Sequence, residues 1–278
     1  MKPLLLFFIL ALFKLQAYEL HEWGTFTSVS GSDGKLLTGL HLDEERLPPF
    51  VYNFAPSNMG GKGFAMNSTK ENVTIKMETP VVYFYSEKAF DFDLSVGFRG
   101  GLISEWYPMS SDNKQRMSSV ILKDGRKLKV GYGQNFDFNQ NYFDQINWKG
   151  RVLKPRTFKG YTSKQSQETT TWVNPRFTDS NLVDIGGQIE KFIFYRGLGT
   201  FDLPIEILAK GKNQFSVNNK GADAIPFLML YEYKKGTHYI HYTGKMKGSS
   251  TLQINAKAKG TAMLNRALAA FRFSNCPP

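Results

Sequence analysis

Short β-prone segments, separated by Gly, Pro, Asn and Asp, recur along almost the whole chain and constrain its fold more than any other feature. Phe90 to Phe98 alternates apolar and polar residues with a period of two, the pattern of a half-buried strand. Ser119 to Val130 contains two strand-like runs joined by Asp124-Gly125, a dipeptide that favours a tight hairpin turn. The pattern predicts an all-β or β-dominated fold with sandwich-like antiparallel sheets.

Two long segments are harder to interpret. Val73 to Ser86 is the strongest strand pattern, but Pro80 divides it, so we expect either two strands or one edge strand with a bulge. Gly131 to Thr171 is polar, aromatic and irregular, which predicts loops with short strands. Further strands are expected in His21–Val29, Leu102–Tyr107, Lys191–Tyr195, Leu203–Ala209, Phe215–Asn218, Pro226–Tyr233, Thr237–Thr243 and Thr251–Lys257.

The two ends of the chain differ from the β-rich middle. Residues 1–17 combine a positive Lys2, an apolar run from Leu4 to Leu15 and the small residue Ala17, which is typical of a cleavable secretory signal peptide. The apolar run is too short for a membrane span, which needs roughly 20 residues. We therefore expect a single β-rich domain over 18–260, exported to the periplasm or secreted, with no transmembrane segment once the signal is removed.

The C-terminal tail, 261–278, is predicted to form a short helix. Thr261 to Phe273 has helical rather than strand periodicity. Its apolar residues fall on one helical stripe, formed by Met263, Leu264, Ala267, Leu268 and Phe271.

Charge and cysteine content narrow the class of partner. The formal net charge is +11, and removal of Lys2 and Lys14 with the signal leaves +9. A basic exported protein meets anionic partners first, such as lipid headgroups, cell-wall polymers and acidic glycans. No nucleic-acid-binding motif is present, and export argues against that partner. Cys276 is the only cysteine, so no internal disulfide is expected.

Paired carboxylates are one candidate for catalysis. Glu22, Glu78 and Glu105 each lie in aromatic, strand-like sequence, and glycoside hydrolysis needs two acids, about 5–5.5 Å or about 6.5–9.5 Å apart. Arg196 follows an apolar strand and precedes a glycine, where it would form an ion pair with Glu78 or Glu105 or bind an anionic ligand. The alternative is that these glutamates face solvent or neutralise basic residues.

A metal centre is a second candidate. The sequence contains four histidines, and His21 lies beside Glu22. Adjacent residues of a strand point to opposite faces, so a metal-dependent enzyme using His21 and Glu22 would need ligands from elsewhere in the fold. Structural histidines are the simpler interpretation, and no cofactor is specified by the sequence.

A third candidate is a ligand platform in the irregular polar segment. Trp148 and Tyr161 offer aromatic faces for a sugar ring, and Lys149 and Arg151 offer positive charge beside them. This combination suits an anionic cell-envelope polymer or glycan. The alternative for such aromatic residues is a place in the hydrophobic core.

Several segments resemble a family of exported bacterial proteins that has no assigned activity. The matching segments are His21–Thr27 (HEWGTFT), Met77–Tyr85 (METPVVYFY), Gly101–Pro108 (GLISEWYP) and Phe192–Gly199 (FYRGLG at its end). The resemblance implies a shared fold and an extracytoplasmic setting, and it implies no chemistry. Members are associated with a longer C-terminal region that begins in a helix like Thr261–Phe273, so this chain would be truncated or belong to a short branch.

These observations favour a non-catalytic binding or structural role in the bacterial envelope, directed at an anionic polymer or glycan. A hydrolase using Glu78 or Glu105 with Arg196, and a metal-dependent enzyme using His21 and Glu22, are the alternatives. The oligomeric state is not specified by the sequence.

Overall fold

The computed structural model describes most of the β-rich region. The described residues are 18–39, 48, 50–53, 73–111, 117–122, 124–131, 142–155, 175–235 and 237–256. These residues include no α-helix. They therefore contain no helix that is long and apolar enough to cross a bilayer. The predicted signal peptide and the predicted helical tail both lie outside the described residues.

Sixteen strands make up the described fold, which confirms the prediction of a β-dominated chain with antiparallel sheets. They are β1 (Glu19–Ser28), β2 (Tyr52–Asn53), β3 (Ile75–Tyr85), β4 (Phe90–Arg99), β5 (Gly101–Tyr107), β6 (Met117–Ile121), β7 (Lys127–Gly131), β8 (Tyr142–Val152), β9 (Val183–Ile185), β10 (Gln188–Glu190), β11 (Ile193–Gly199), β12 (Ile205–Gly211), β13 (Gln214–Asn219), β14 (Ile225–Lys234), β15 (Thr237–Met246) and β16 (Ser250–Asn255).

Two sheets form the main sandwich. The first sheet has the strand order β1-β3-β11-β5-β2, and the second has the order β10-β9-β8-β6-β7, with β4 paired along the other edge of β8. Their facing sides meet in one core that contains Ile103 and Trp106 of β5, Ile146 and Trp148 of β8, and Tyr195 of β11. Burial of this aromatic and aliphatic surface is the main stabilising term of the sandwich.

The far side of the first sheet is also buried. Tyr83, Tyr107, Phe192 and Phe194 form a second aromatic cluster there, and Phe50 packs against it. All seven residues of β5 are buried as a result. Because this strand is covered on both faces, its polar side chains are buried and need hydrogen-bond partners inside the protein.

A bulge in β5 decides which side chains face the main core. Glu105 lies opposite Arg196 and Ile103 lies opposite Gly197, so Ser104 is the extra residue. The bulge lets Ile103 and Trp106 face the same core. The buried carboxylate of Asp144 accepts a hydrogen bond from the Ile103 amide (2.8 Å), which satisfies a backbone donor at the bulge.

The C-terminal strands form a smaller, separate arrangement. β12, β13 and β16 make a three-stranded sheet, and β14 and β15 make a two-stranded hairpin. Val217, Met246 and Ile254 form a core between them. The turn near Ser32 contacts the free edge of β12, where its carbonyl accepts a hydrogen bond from the Ala209 amide (2.9 Å).

Several sequence predictions can be compared directly with this fold. The hairpin at Asp124-Gly125 is confirmed as β6–β7, and the alternation of Phe90 to Phe98 is confirmed as β4. β3 continues past Pro80 with a bulge, but it is an interior strand between β1 and β11 rather than an edge strand. The prediction of only short strands after Gly131 is wrong, because β8 has eleven residues and lies at the centre of the second sheet.

Candidate functional site

The structure places Glu105 and Arg196 directly opposite each other on neighbouring strands. Both lie on the face that carries Tyr107 and Phe194, and they are only 3% and 4% exposed. The Ser104 hydroxyl donates to the Glu105 carboxylate and also lies 3.4 Å from the Arg196 carbonyl oxygen. The two residues are cross-strand neighbours on a packed face, and the buried Nε of Arg196 has no hydrogen-bond partner in the described part of the structure.

Glu78, the other predicted catalytic acid, lies on β3, where its backbone is paired with Thr25 of β1. β11 separates β3 from β5, so Arg196 lies on the strand between the two that carry Glu78 and Glu105. The side chain of Glu78 is outside the described part of the structure. The geometry therefore defines one acid of the predicted pair, and that acid is buried.

His21 and Glu22, the predicted metal pair, do not share a face of the sheet, as expected for adjacent residues of a strand. His21 is opposite Tyr83 and Glu22 is opposite Val82, so the two side chains lie on opposite faces of the first sheet. His21 Nε2 lies 2.7 Å from Glu19 Oε1, and Glu22 accepts a hydrogen bond from the Tyr195 hydroxyl. Within the described ranges, no group of three or more His, Cys, Asp or Glu side chains is placed to hold a metal ion.

The Tyr195 hydroxyl holds the Glu22 carboxylate at the edge of the main core by a hydrogen bond. Tyr195 is 5% exposed, and its ring lies 6.4 Å from the ring of Trp148. Burial, followed by the hydrogen bond to Glu22, raises the pKa of the Tyr195 phenol well above its ordinary value. The phenol is therefore protonated at neutral pH and acts as a donor to an otherwise exposed carboxylate.

Trp148, one of the two aromatic residues of the predicted ligand platform, faces the core. Trp148 is fully buried in the main core, and its indole N–H donates to the Pro108 carbonyl (2.9 Å). Its ring is not accessible to a ligand, because it packs between the second sheet and the first sheet. Tyr161, its proposed partner, lies outside the described residues.

Lys149 and Arg151 are exposed, but acids on β4 neutralise them. Lys149 Nζ lies 3.2 Å from Asp93, and Arg151 donates to Asp91 (2.7 Å). These are cross-strand neighbours in the β4–β8 register, so the outer face of the second sheet carries alternating charges instead of a basic strip. Each such exposed pair contributes about 0–1 kcal/mol to stability.

A different polar surface lies on the C-terminal sheet, and the sequence reasoning missed it. One row across β12, β13 and β16 consists of Glu206, Asn218 and Thr251, and the next row contains Ser216 and Gln253. We call the surface formed by these five residues the amide face. It lies opposite the side that packs Val217 and Ile254 into the C-terminal core, since side chains alternate along each strand.

Hydrogen bonds hold the amide face in a fixed arrangement. Asn218 donates to Glu206 (2.8 Å) and accepts from the Thr251 hydroxyl (2.9 Å), and Gln253 donates to Ser216 (3.2 Å). These bonds join all three strands. The amide face therefore presents aligned amide and hydroxyl groups with few rotamers left to fix on binding.

Lysines border the amide face. Lys220 Nζ lies 3.0 Å from Glu206. The hydrogen bond from Asn218, then that from Lys220, lowers the pKa of the Glu206 carboxyl, and the charge of Lys210 contributes in the same direction. The only carboxylate of the amide face is thus ionised and neutralised by its surroundings.

Positive charge is concentrated in this part of the chain. Residues 201–256 contain seven lysines and four acidic residues, and the remaining C-terminal residues add four basic residues and no acid. The region from 201 onward therefore carries +7 of the total of +11. Residues 201–256 account for +3 of this charge, seven lysines less four acids, so the C-terminal sheets themselves are basic.

The sequence did contain a signal for the amide face. QFSVNN and TLQIN both alternate apolar and polar residues with a period of two, and the polar positions are Asn, Gln, Ser and Thr. The sequence does not show that β13 pairs with β16, because the two strands are more than thirty residues apart. This pairing places the polar residues of both strands in the same rows.

Comparison with known proteins adds no assignment. A scan against protein-family models, a search of curated proteins and a search of solved structures found no match to this chain.

Proposed function

We propose that this protein is an exported, non-catalytic binding domain of the bacterial cell envelope, and that it binds an anionic glycan or similar anionic polymer on the amide face. The observation that carries the proposal is the three-stranded row of amide and hydroxyl side chains bordered by Lys220 and Lys210. The predicted signal peptide and the resemblance to an exported family support the location.

The chemistry of the amide face suits a polyhydroxylated anion. Amide and hydroxyl side chains both donate and accept hydrogen bonds, which matches the hydroxyl groups of a sugar. Lys220 and Lys210 would attract its carboxylate or sulfate groups. Lys220 would then leave its ion pair with Glu206 and form one with the ligand. The rest of the C-terminal positive charge would speed association with a polyanion.

The catalytic alternatives have less support from the geometry. Glu105 is nearly inaccessible and already engaged by Ser104, and His21 and Glu22 face in opposite directions. A hydrolase would need a second accessible acid near Glu105, so we retain this function only as the alternative outcome of the binding experiment.

The test is calorimetric titration of the purified mature chain with a uronic-acid oligosaccharide, with polyphosphate and with neutral dextran. We expect binding to the uronic-acid oligosaccharide and none to dextran. The double variant Asn218→Ala/Gln253→Ala should weaken binding about tenfold, since it removes two or more hydrogen bonds of about 0.5–1.5 kcal/mol each.

The matched control removes one glutamine and one asparagine from a different surface, the outer face of the second sheet. Gln145→Ala/Asn147→Ala on β8 removes a glutamine and an asparagine that bond with each other and with Ser95. Its affinity should stay within about twofold of the wild type. Equal loss in both double variants, no binding of any anion, or release of reducing ends from the oligosaccharide would each contradict the proposal.

A further inference from the structure

A second surface of the C-terminal region carries exposed aromatic side chains. Phe227, Tyr231 and Tyr233 of β14 are 45%, 43% and 62% exposed. Leu228 and Leu230 of the same strand pack into the C-terminal core, so Tyr231 and Tyr233 lie on the opposite, outer side of the hairpin. The core side of the hairpin is therefore aliphatic, and the outer side carries these partly exposed aromatic residues together with the buried Ile240, which lies opposite Tyr231.

The same hairpin is strongly basic. Between Ile225 and Lys247 it carries Lys234, Lys235, Lys245 and Lys247, and its only acidic residue is Glu232. Glu232 is engaged by His241, whose Nε2 lies 3.0 Å from its carboxylate. Lys235, Lys245 and Lys247 are exposed.

The lysines lie at both ends of the aromatic row. Lys234 and Lys235 follow Tyr233 at the tip of the hairpin. Lys245 precedes Met246, which faces the C-terminal core, so alternation along β15 directs Lys245 to the outer side. Phe227 lies at that end, since its neighbour Leu228 is paired with Gly244.

We propose that the outer side of the β14–β15 hairpin binds the surface of an anionic lipid membrane. A tyrosine ring combines an apolar body with a polar hydroxyl, which suits the headgroup region of a bilayer, and the phenylalanine ring adds apolar surface. Lysines beside them are attracted to the negative surface potential of anionic lipids. This charge complementarity selects a lipid surface over a neutral apolar partner, since the single acid of the hairpin, Glu232, is already engaged by His241.

The inference is independent of polymer binding. The amide face belongs to β12, β13 and β16 and lies on the other side of the C-terminal core from the hairpin. A protein with both properties would bind an anionic polymer on one surface while its other surface contacts the membrane.

The experiment is sedimentation of the mature chain with vesicles of phosphatidylcholine alone, or with about one third phosphatidylglycerol. We expect binding to the anionic vesicles only, falling at least fivefold as salt rises from about 0.1 to 0.5 M, because the Debye length shortens. Phe227→Ala/Tyr233→Ala should weaken that binding about tenfold, and Lys245→Glu, which leaves the aromatic residues in place, should weaken it about threefold.

Phe177→Ala is the matched control, because Phe177 is 79% exposed and lies in the main sandwich. Its vesicle binding should equal that of the wild type, as should that of the amide-face variant Asn218→Ala/Gln253→Ala. The inference is overturned by absence of vesicle binding, by equal binding to neutral vesicles, or by equal loss in Phe177→Ala. Loss of oligosaccharide binding with intact vesicle binding would remove the proposed function and leave this inference standing.

Discussion

The main sandwich and the C-terminal sheets treat polar residues in opposite ways. In the sandwich, the charged side chains of Glu105 and Asp144 are buried and accept hydrogen bonds, from the Ser104 hydroxyl and from the Ile103 amide. In the C-terminal sheets, polar residues lie in rows on the outer face, where Thr251 and Gln253 are exposed and Ser216 is buried, and lysines outnumber acids. The sandwich core thus encloses polar groups, whereas the C-terminal region leaves several of its polar groups at the surface.

The buried pair Arg176–Glu190 shows the same contrast more sharply. Arg176 donates two bonds to Glu190 Oε2 (3.1 and 2.9 Å), both side chains are almost fully buried, and the guanidinium lies between the Phe50 and Phe192 rings. By comparison, the exposed pair Lys220–Glu206 borders the amide face. Burial, rather than residue type, separates a structural ion pair from one available to a ligand.

The largest expected effect comes from the core of the sandwich. Trp148→Ala should lower the free energy of unfolding by about 3–5 kcal/mol, because it leaves a large cavity and an unpaired Pro108 carbonyl. Chemical denaturation monitored by circular dichroism measures this. An exposed aromatic residue provides the control, and Phe177→Ala should cost no more than about 0.5 kcal/mol.

Removing one partner of the buried ion pair should be nearly as severe. Arg176→Met leaves the carboxylate of Glu190 without its guanidinium and should destabilise the protein by about 3–5 kcal/mol. The double variant Arg176→Met/Glu190→Gln should recover part of that loss in the same denaturation experiment. No recovery would mean that Glu190 contributes through other contacts.

Matched valines compare the two regions directly. Val183→Ala in the sandwich and Val217→Ala in the C-terminal core each remove two buried methyl groups and should cost about 1–3 kcal/mol. If the regions unfold as separate units, calorimetry will show two transitions, and each variant will lower only its own. A single transition lowered by both would show that the regions are energetically coupled.

Alkaline pH should weaken the sandwich before the C-terminal region. Burial raises the pKa of the Tyr83 and Tyr195 phenols above the ordinary value of about 10. Their contribution is fully present below that ordinary value and is lost as pH rises above it, because the unfolded chain ionises first.

Unfolding measured by circular dichroism between about pH 9 and 12 tests this. Tyr195→Phe should reduce the loss of stability at high pH, since the substituted ring cannot ionise. Tyr233→Phe, at an exposed position of β14, should leave the pH profile unchanged. A similar reduction in both variants would count against a special role for buried Tyr195.

The smallest effect is expected on the outer face of the second sheet. Arg151→Ala breaks an exposed pair with Asp91 and should change stability by less than about 1 kcal/mol. It should leave oligosaccharide binding unchanged, because Asp91 already neutralises Arg151 in the wild type. Weakened binding, measured by the titration described above, would restore Lys149 and Arg151 as ligand residues.

Local sequence patterns predicted much of the fold. The alternation in β4 and the Asp124-Gly125 turn were visible in a few consecutive residues, since strand periodicity and turn chemistry are local properties. β8 was missed because its sequence, YFDQINWKGRV, contains inward-facing Tyr142, Asp144 and Trp148 that appear irregular until Asp144 is seen to bind a bulged strand.

The candidate sites were less predictable, because they depend on strand pairing. Nothing near Trp148 in the sequence distinguished a core tryptophan from a ligand platform, and only the second sheet packed against the first decides it. The position of Arg196 beside Glu105 was one of the pairings left open by the sequence, which equally allowed Glu78.

The sequence by itself determined the class of fold, the basic character and the residue types on each strand face, because these follow from composition and from a period of two. Only the tertiary structure decided which of those faces meet. It buried Trp148 and Arg196, separated His21 from Glu22, and aligned Asn218 with Thr251, because strands distant in the chain become neighbours only through backbone pairing and through closure of a shared core.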